Sequence, residues 1–228
     1  MLPTIAIVMP LYNNESTILM TLESLCSQSE GFDELIVVND ASKDYSLLIV
    51  EKFLDKQHDF KSKLINHTST MGLARTYNDA ISSTRCDLVI LLHADVALQN
   101  DALKNLIAPF KEPVSQTIVA TTHYVIHPYE IWNKYNFWQK CFFARLVGRR
   151  YSGIDGKFDC FKRESVVQVG LFSEKLFRSA GEDGDMVARI SKIGKIIQTD
   201  AAIIHLHKLD RTFNLKSLIY SSYSILHS

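Results

Sequence analysis

The 228-residue sequence lacks most of the features that quickly disclose a function. Its four cysteines, Cys26, Cys86, Cys141 and Cys160, lie far apart with no CxxC pair. That excludes a disulfide framework or a zinc site of paired thiols, and reads as idle thiols in a reducing compartment. Neither charge is in excess: 25 Lys plus Arg balance 25 Asp plus Glu, so no basic field draws nucleic acid. No apolar run approaches the ~18 residues of a membrane span. The first apolar run, residues 5–8, is short, close to Pro10 and without a basic leader, so a cytoplasmic protein is expected. No GxGxxG follows the first apolar run and no GxxxxGK[ST] occurs anywhere, which disfavours the dinucleotide fold and the P-loop. No repeat, low-complexity stretch or Gly/Ser/Pro linker divides the chain.

What is present is a rhythm of apolar runs and helical periods, in a chain that is 46% hydrophobic. The stretch LVILL at 88–92 is unbroken, as in a strand covered on both faces of a parallel sheet, and it stops on His93-Ala94-Asp95. Residues 4–10, TIAIVMP, predict a first strand ended by Pro10, whose missing N–H cannot continue a ladder. Asn13 or Asn14 is expected to cap a helix carrying Ile18, Leu19, Leu22 and Leu25. Residues 34–38 predict a second strand, Ser42 a cap for the helix of Leu47, Leu48, Val50 and Phe53, and residues 64–67 a third strand before the helix of Ala74, Tyr77, Ala80 and Ile81. Four β-then-α units with short connections imply a doubly wound, mainly parallel α/β sheet with helices on both faces.

After Pro113 the rhythm changes. Residues 117–126 predict a longer strand, 129–150 an aromatic and basic helical segment, and 159–161 a short strand. Residues 182–193 predict a helix opened by acids, and 201–207 a last strand with His205 and His207 on one face. The expected organisation is one domain over 1–228: a nucleotide-type half at 1–112, a second half at 113–207, and an amphipathic, helical tail at 208–228. The tail would serve as a dimer helix, a membrane foot or cover for the sheet.

Three predicted strands end in polar residues, at Tyr12-Asn13, Asn39-Asp40 and His93-Ala94-Asp95. On a parallel sheet these ends share the edge where ligands bind, so Tyr12, Asp40 and Asp95 should line one crevice. An aromatic ring and a carboxylate suit a nucleobase, and a second carboxylate suits a divalent cation on a diphosphate. Each residue also has a local reading as a helix cap or an Asx-turn.

An ordered set of motifs resembles the family 2 glycosyltransferases, inverting sugar transferases of GT-A fold. Pro10-Leu11-Tyr12-Asn13-Asn14-Glu15 is similar to their opening P-x-Y-N-x-E, and Val38-Asn39-Asp40-Ala41-Ser42-Lys43-Asp44 to V-[DN]-D-G-S-x-D. Residues 72–81, with Asn78, resemble G-x-x-x-A-R-N-x-G-I, and residues 92–96 stand where the family carries D-x-D. Residues 159–164, Val169-Gly170-Leu171-Phe172 and Gly181-Glu182-Asp183-Gly184-Asp185-Met186 resemble its acceptor-side pattern, so the likeness runs over about 4–207.

The resemblance implies a nucleotide-sugar donor, UDP-linked, held by Pro10, Tyr12, Asp40, Asn78, Ala94 and Asp95. It implies Mn²⁺ or Mg²⁺ on Asp95, with His205 (His207 next) and His93 as further ligands. Asp183 is implied as the general base, with Glu182 beside it in the acceptor site, and the acceptor as a glycan or lipid-linked glycan in surface-glycan synthesis. Two departures stand out. His93 replaces the first Asp of D-x-D; imidazole suits Mn²⁺ better than Mg²⁺ and supplies no negative charge. Ala41 replaces the usual glycine, which asks the turn to avoid φ > 0. The aromatic-basic segment holds Trp132, Tyr135, Phe137, Trp138, Phe142 and Phe143 among Lys134, Lys140, Arg145, Arg149 and Arg150. It reads as a sugar-stacking platform, as a patch at the inner face of a membrane, or as plain core with a solvated basic face. Alternatives to a transferase are a nucleotide-sugar-binding protein with impaired catalysis and a nucleotidyltransferase. The latter is disfavoured because Leu11-Tyr12-Asn13-Asn14 stands where a glycine-rich loop would be.

Overall fold

The computed structural model describes residues 2–56, 58–112, 116–127, 129–144, 150–174, 181–206 and 214–216. His207, Arg145, Arg149 and almost all of the amphipathic tail lie outside the described residues. The elements in chain order are β1 (Ile5–Leu11), α1 (Ile18–Cys26), β2 (Glu34–Asn39), α2 (Ser46–Leu54), β3 (Lys61–Asn66), α3 (Leu73–Ser82), β4 (Leu88–Leu92), β5 (Val96–Leu98), α4 (Ala102–Lys111), β6 (Ile118–Ile126), α5 (Tyr129–Lys134), α6 (Phe137–Phe143), β7 (Arg150–Ser152), β8 (Phe158–Lys162), α7 (Arg163–Gln168), α8 (Glu182–Ile190) and β9 (Lys195–His205).

One sheet runs in the order β3-β2-β1-β4-β8-β6-β9-β5, with β7 paired to β6. The flank β3-β2-β1-β4 is parallel. Beyond it β8 joins β4 antiparallel, β9 lies parallel to β6, and β5 pairs antiparallel with β9. This is the doubly wound architecture the apolar rhythm predicts, with its second half added mainly in antiparallel fashion. Alternation along β1 supplies both faces: Ile5, Ile7, Met9 and Leu11 enter one core with Leu22, Val50 and Leu106, while Ala6 and Val8 enter the other with Tyr77, Ile81, Val166 and Met186.

Several local expectations are corrected. Pro10 does not end β1, because even-numbered β1 residues turn their backbone groups toward β4, and that pairing has already stopped at Val8 opposite Leu91. No N–H is demanded of Pro10, and β1 continues to Leu11 alongside β2. β3 begins at Lys61, three residues before its apolar signal, because it is an exposed sheet edge where charge is tolerated. β5 was not foreseen: three residues are too few for periodicity to register.

Candidate active site

The turns after β1 and β2 are stitched together by side chains that the sequence cast as helix caps. Neither Thr17 at the start of α1 nor Tyr45 at the start of α2 makes a side-chain cap. Instead Ser42 Oγ accepts from Asn13 N–H at 3.1 Å, Asn13 Oδ1 from Lys43 N–H at 2.7 Å, and Ser46 Oγ from Asn14 N–H at 2.6 Å. Glu15 and Asp44 each accept from the other turn, from Tyr45 N–H and Glu15 N–H, both at 3.0 Å. Asn13 and Ala41 both take up left-handed conformations, φ 52° and 58°, so Ala41 does not avoid φ > 0 as expected. The lattice of bonds around it holds the strained turn in place. Tyr12, 45% exposed, stands on this double turn just past Pro10 and Leu11 at the end of β1.

Asp40 is only 5% exposed. Its Oδ1 accepts from Met71 N–H at 2.7 Å and its Oδ2 from Gly72 N–H at 3.0 Å, while His67 Nδ1 lies 2.8 Å from Oδ1. His67 Nε2 reaches Asp79 at 3.0 Å, so Asp40, His67 and Asp79 clip the β3–α3 loop onto β2. Asn78 is likewise committed: its amide donates to Phe172 O and Glu174 and accepts from Phe172 N–H, at 2.8 to 2.9 Å. It ties α3 to the chain before α8, and its amide is spent on that tie rather than turned to a ligand.

The residues following β4 meet those of the second half. His93 N–H donates to Lys157 O at 3.0 Å, and Leu206 N–H to Asp95 O at 2.8 Å. His93 Nε2 lies 2.9 Å from Tyr77 Oη, whose single proton is directed at Gly156 O 3.1 Å away. Nε2 therefore carries the proton, and the lone pair of Nδ1 faces Asp95 Oδ1 at 3.8 Å. Burial first, then the Lys157 and His205 charges, bring His93 down to about 4 against the pull of Asp95 and Asp155, so the ring is neutral. Asp95 Oδ2 lies 3.3 Å from His205 Nε2, whereas its buried Oδ1 has no hydrogen-bond partner. Burial raises Asp95, but the hydrogen bond and charge of His205, with His93 and Lys157, outweigh it and hold the carboxylate well below its usual range. Ala94, between them, is buried, and its carbonyl accepts from Thr17. An ionised carboxylate with an orphaned oxygen facing an imidazole lone pair fits a borderline cation such as Mn²⁺.

Asp183 sits in the first turn of α8, behind Gly181 in a left-handed conformation. Its carboxylate lies against Gly156: a methyl group there would come within 2.9 Å of Asp183 Oδ1 and 3.0 Å of Tyr77 Oη. Asp183 and His93 thus meet through Tyr77 and Gly156, from elements about ninety residues apart. The helix dipole favours an ionised Asp183. Burial, then the charges of Glu182, Asp159 and Asp155, overcome it and the opposing Lys157, and push Asp183 up to about 7. Its buried Oδ1 has no hydrogen-bond partner. Glu182 is buried beside it.

One group was missed. His123, fully buried on β6, faces Asp159 Oδ1 through Nδ1 at 3.2 Å and Asp155 Oδ1 through Nε2 at 3.5 Å. These three side chains offer ligand atoms all within 4.8 Å of one another and could hold a metal ion. Asp159 Oδ2 also accepts from Asp155 N–H and Gly156 N–H, at 3.0 and 2.8 Å, so the group shapes the turn on which Asp183 rests. A histidine inside an apolar strand was the only available signal. Among the described residues, no helix is long and apolar enough to cross a membrane.

A parallel flank joined to a mainly antiparallel second half, with polar turns at the seam between them, is the arrangement of the GT-A glycosyltransferase fold. Solved structures of that fold superpose on the chain. A mannosyltransferase from Pyrobaculum calidifontis in complex with GDP-Man and Mn²⁺ matches with a TM-score of 0.71 at 20% identity, over 92% of this chain and 59% of its own. Glucosyl-3-phosphoglycerate synthase from Mycobacterium tuberculosis, in complex with Mn²⁺ and UDP-glucose, matches with 0.64 at 17% identity, over 98% and 77%. The chain belongs to glycosyl transferase family 2, whose family model matches residues 6–163. A poly-beta-1,6-N-acetyl-D-glucosamine synthase of Staphylococcus epidermidis is 27% identical over 177 residues, 74% of this chain and 42% of the relative. The chain thus spans about two-fifths of the length of that curated relative.

Proposed function

We propose that the chain is an inverting glycosyltransferase that moves a sugar from a UDP-linked donor to a hydroxyl of a glycan or lipid-linked glycan in surface-glycan synthesis. In this reading it acts as one domain, residues 1–112 holding the nucleotide and 113–207 the acceptor. Tyr12 stacks on the base, and Asp40 fixes the loop beside it and accepts from the imide. Asp95, with His93 and His205, holds Mn²⁺, which when bound offsets charge on the diphosphate. Asp183 takes the proton of the attacking hydroxyl as the new glycosidic bond forms. The exposed Phe137 and the Lys140 ammonium, 5.9 Å over the Trp132 ring, suit an acceptor at a lipid surface.

The observation that carries the reading is Asp183. A carboxylate brought to about 7, lying against Gly156 and linked through Tyr77 to His93, is matched to general-base work near neutral pH. Release of UDP from a panel of UDP-sugars with Mn²⁺ and an acceptor tests it. Asp183→Asn should lose about 10²- to 10⁴-fold in turnover; wild-type turnover in that variant overturns the assignment. The second reading, a nucleotide-sugar-binding protein with impaired catalysis, rests on His93 in place of a carboxylate. It prevails if the wild-type protein binds UDP but releases none from any donor.

A further inference from the structure

Lys157 belongs to none of the motifs above, yet it stands at the junction of the site. Its carbonyl accepts from His93 N–H, which fixes it beside the Asp95 turn, and it directly follows Gly156, on which the Asp183 carboxylate rests. Its ammonium donates to Asp155 Oδ2 at 2.9 Å, and its own N–H to Asp155 Oδ1 at 3.1 Å. The side chain keeps 22% of its surface open, so the ammonium is parked on Asp155 rather than sealed in. Its charge acts on Asp155, Asp95 and Asp183 together. An ammonium whose charge is felt by both the carboxylate suited to a cation and the carboxylate suited to a proton is placed to meet an anionic leaving group held near them. The substitution of His93 for a carboxylate removes one negative charge from the same spot, which eases the approach of an anion.

We infer that Lys157 is a catalytic residue that contacts the β-phosphate of the nucleoside diphosphate and stabilises it as it leaves. The inference rests on the transferase reading given above. In the step, the bond from the sugar anomeric carbon to the β-phosphate oxygen breaks and its electron pair stays on that oxygen. The acceptor oxygen forms the new bond to carbon, and its proton passes to Asp183. Lys157 stays protonated throughout; it exchanges Asp155 for a phosphate oxygen and returns once the diphosphate departs. Asp155 is then a holding partner that keeps a half-buried ammonium in position between turnovers.

Binding of UDP and of uridine to the full chain separates this role from a structural one. Lys157→Met should weaken UDP by about tenfold or more, one charge-assisted contact, while uridine binding stays within about twofold. Lys157→Arg should restore most of the UDP affinity. Asp155→Asn, which frees the ammonium, should bind UDP at least as tightly as wild type. If Lys157 only braces Asp155, then Lys157→Met and Asp155→Asn weaken UDP and uridine alike, and the inference is overturned. Equal UDP affinity in wild type and Lys157→Met overturns it as well. Wild-type protein that binds neither UDP nor GDP overturns instead the functional reading beneath it.

Discussion

Asp183 carries two opposite demands, and its titration shows which prevails. An acid raised by burial binds more protons in the folded than in the unfolded chain. Stability therefore falls as pH rises from about 4, where the unfolded carboxylate ionises, toward about 7, where the folded one does. On the general-base reading proposed above, catalysis runs the other way, because the base must be ionised: kcat/KM should climb through pH 7 and level off above it. Asp183→Asn should accordingly melt at a higher temperature than wild type at pH 8, with the gap shrinking toward pH 4; melting curves at the two pH values decide it. His93 makes a second prediction. If it is a ligand on the Asp95 side, activity should favour Mn²⁺ over Mg²⁺, and His93→Asp should narrow that preference, as parallel metal titrations would reveal. Ala41 offers a third. Its left-handed backbone costs a non-glycine residue about 1 kcal/mol, so Ala41→Gly should stabilise the protein by about 0.5–1 kcal/mol in denaturant unfolding, less whatever the extra unfolded-state freedom removes.

At the scale of elements, the turns rather than the strands and helices decide the site. Gly156, with φ 73°, sits where any side chain would strike Asp183 and Tyr77. Gly156→Ala should lower turnover sharply and shift the pH profile of the activity that remains, while leaving uridine binding nearly intact. Asn78→Ala would strip partners from both backbone groups of Phe172, and should cost about 2–3 kcal/mol in chemical denaturation. The sequence announced the strands that are buried on both faces, because an unbroken apolar run such as LVILL leaves little else for the chain to do. It announced the polar residues at their ends as well. It did not announce that Asn13 and Ser42 bond across two turns, because hydroxyl and amide side chains serve that purpose and helix capping equally well. Nor did it reveal His123, whose significance comes from Asp155 and Asp159 being folded against it, a relation with no local signature.

At the scale of the whole molecule, the sheet changes character between β4 and β8, and the candidate site lies at that seam. The parallel flank contributes the turns bearing Tyr12, Asp40 and Asp95; the mixed flank contributes Asp155, Lys157 and His205, and α8 adds Asp183. A ligand spanning both flanks ties them together, so UDP should raise the melting temperature of the whole protein by more than uridine does, as a thermal-shift titration measures.

The position of β9 has a further consequence for how the molecule comes into being. This last strand is inserted between β6 and β5, strands made about eighty and about one hundred residues earlier in the chain. Until it arrives, β5 has no strand partner among the described residues, and Asp95 lacks His205 and the Leu206 N–H, although Thr17 and Lys157 already hold Ala94 and His93. During synthesis the turns bearing Tyr12 and Asp40 can form early on the emerging parallel flank, while the surroundings of Asp95 wait for the C-terminal part of the chain. A ribosome-bound fragment ending before Lys195 would therefore carry a sheet whose first-made flank is paired and whose far edge still lacks β9.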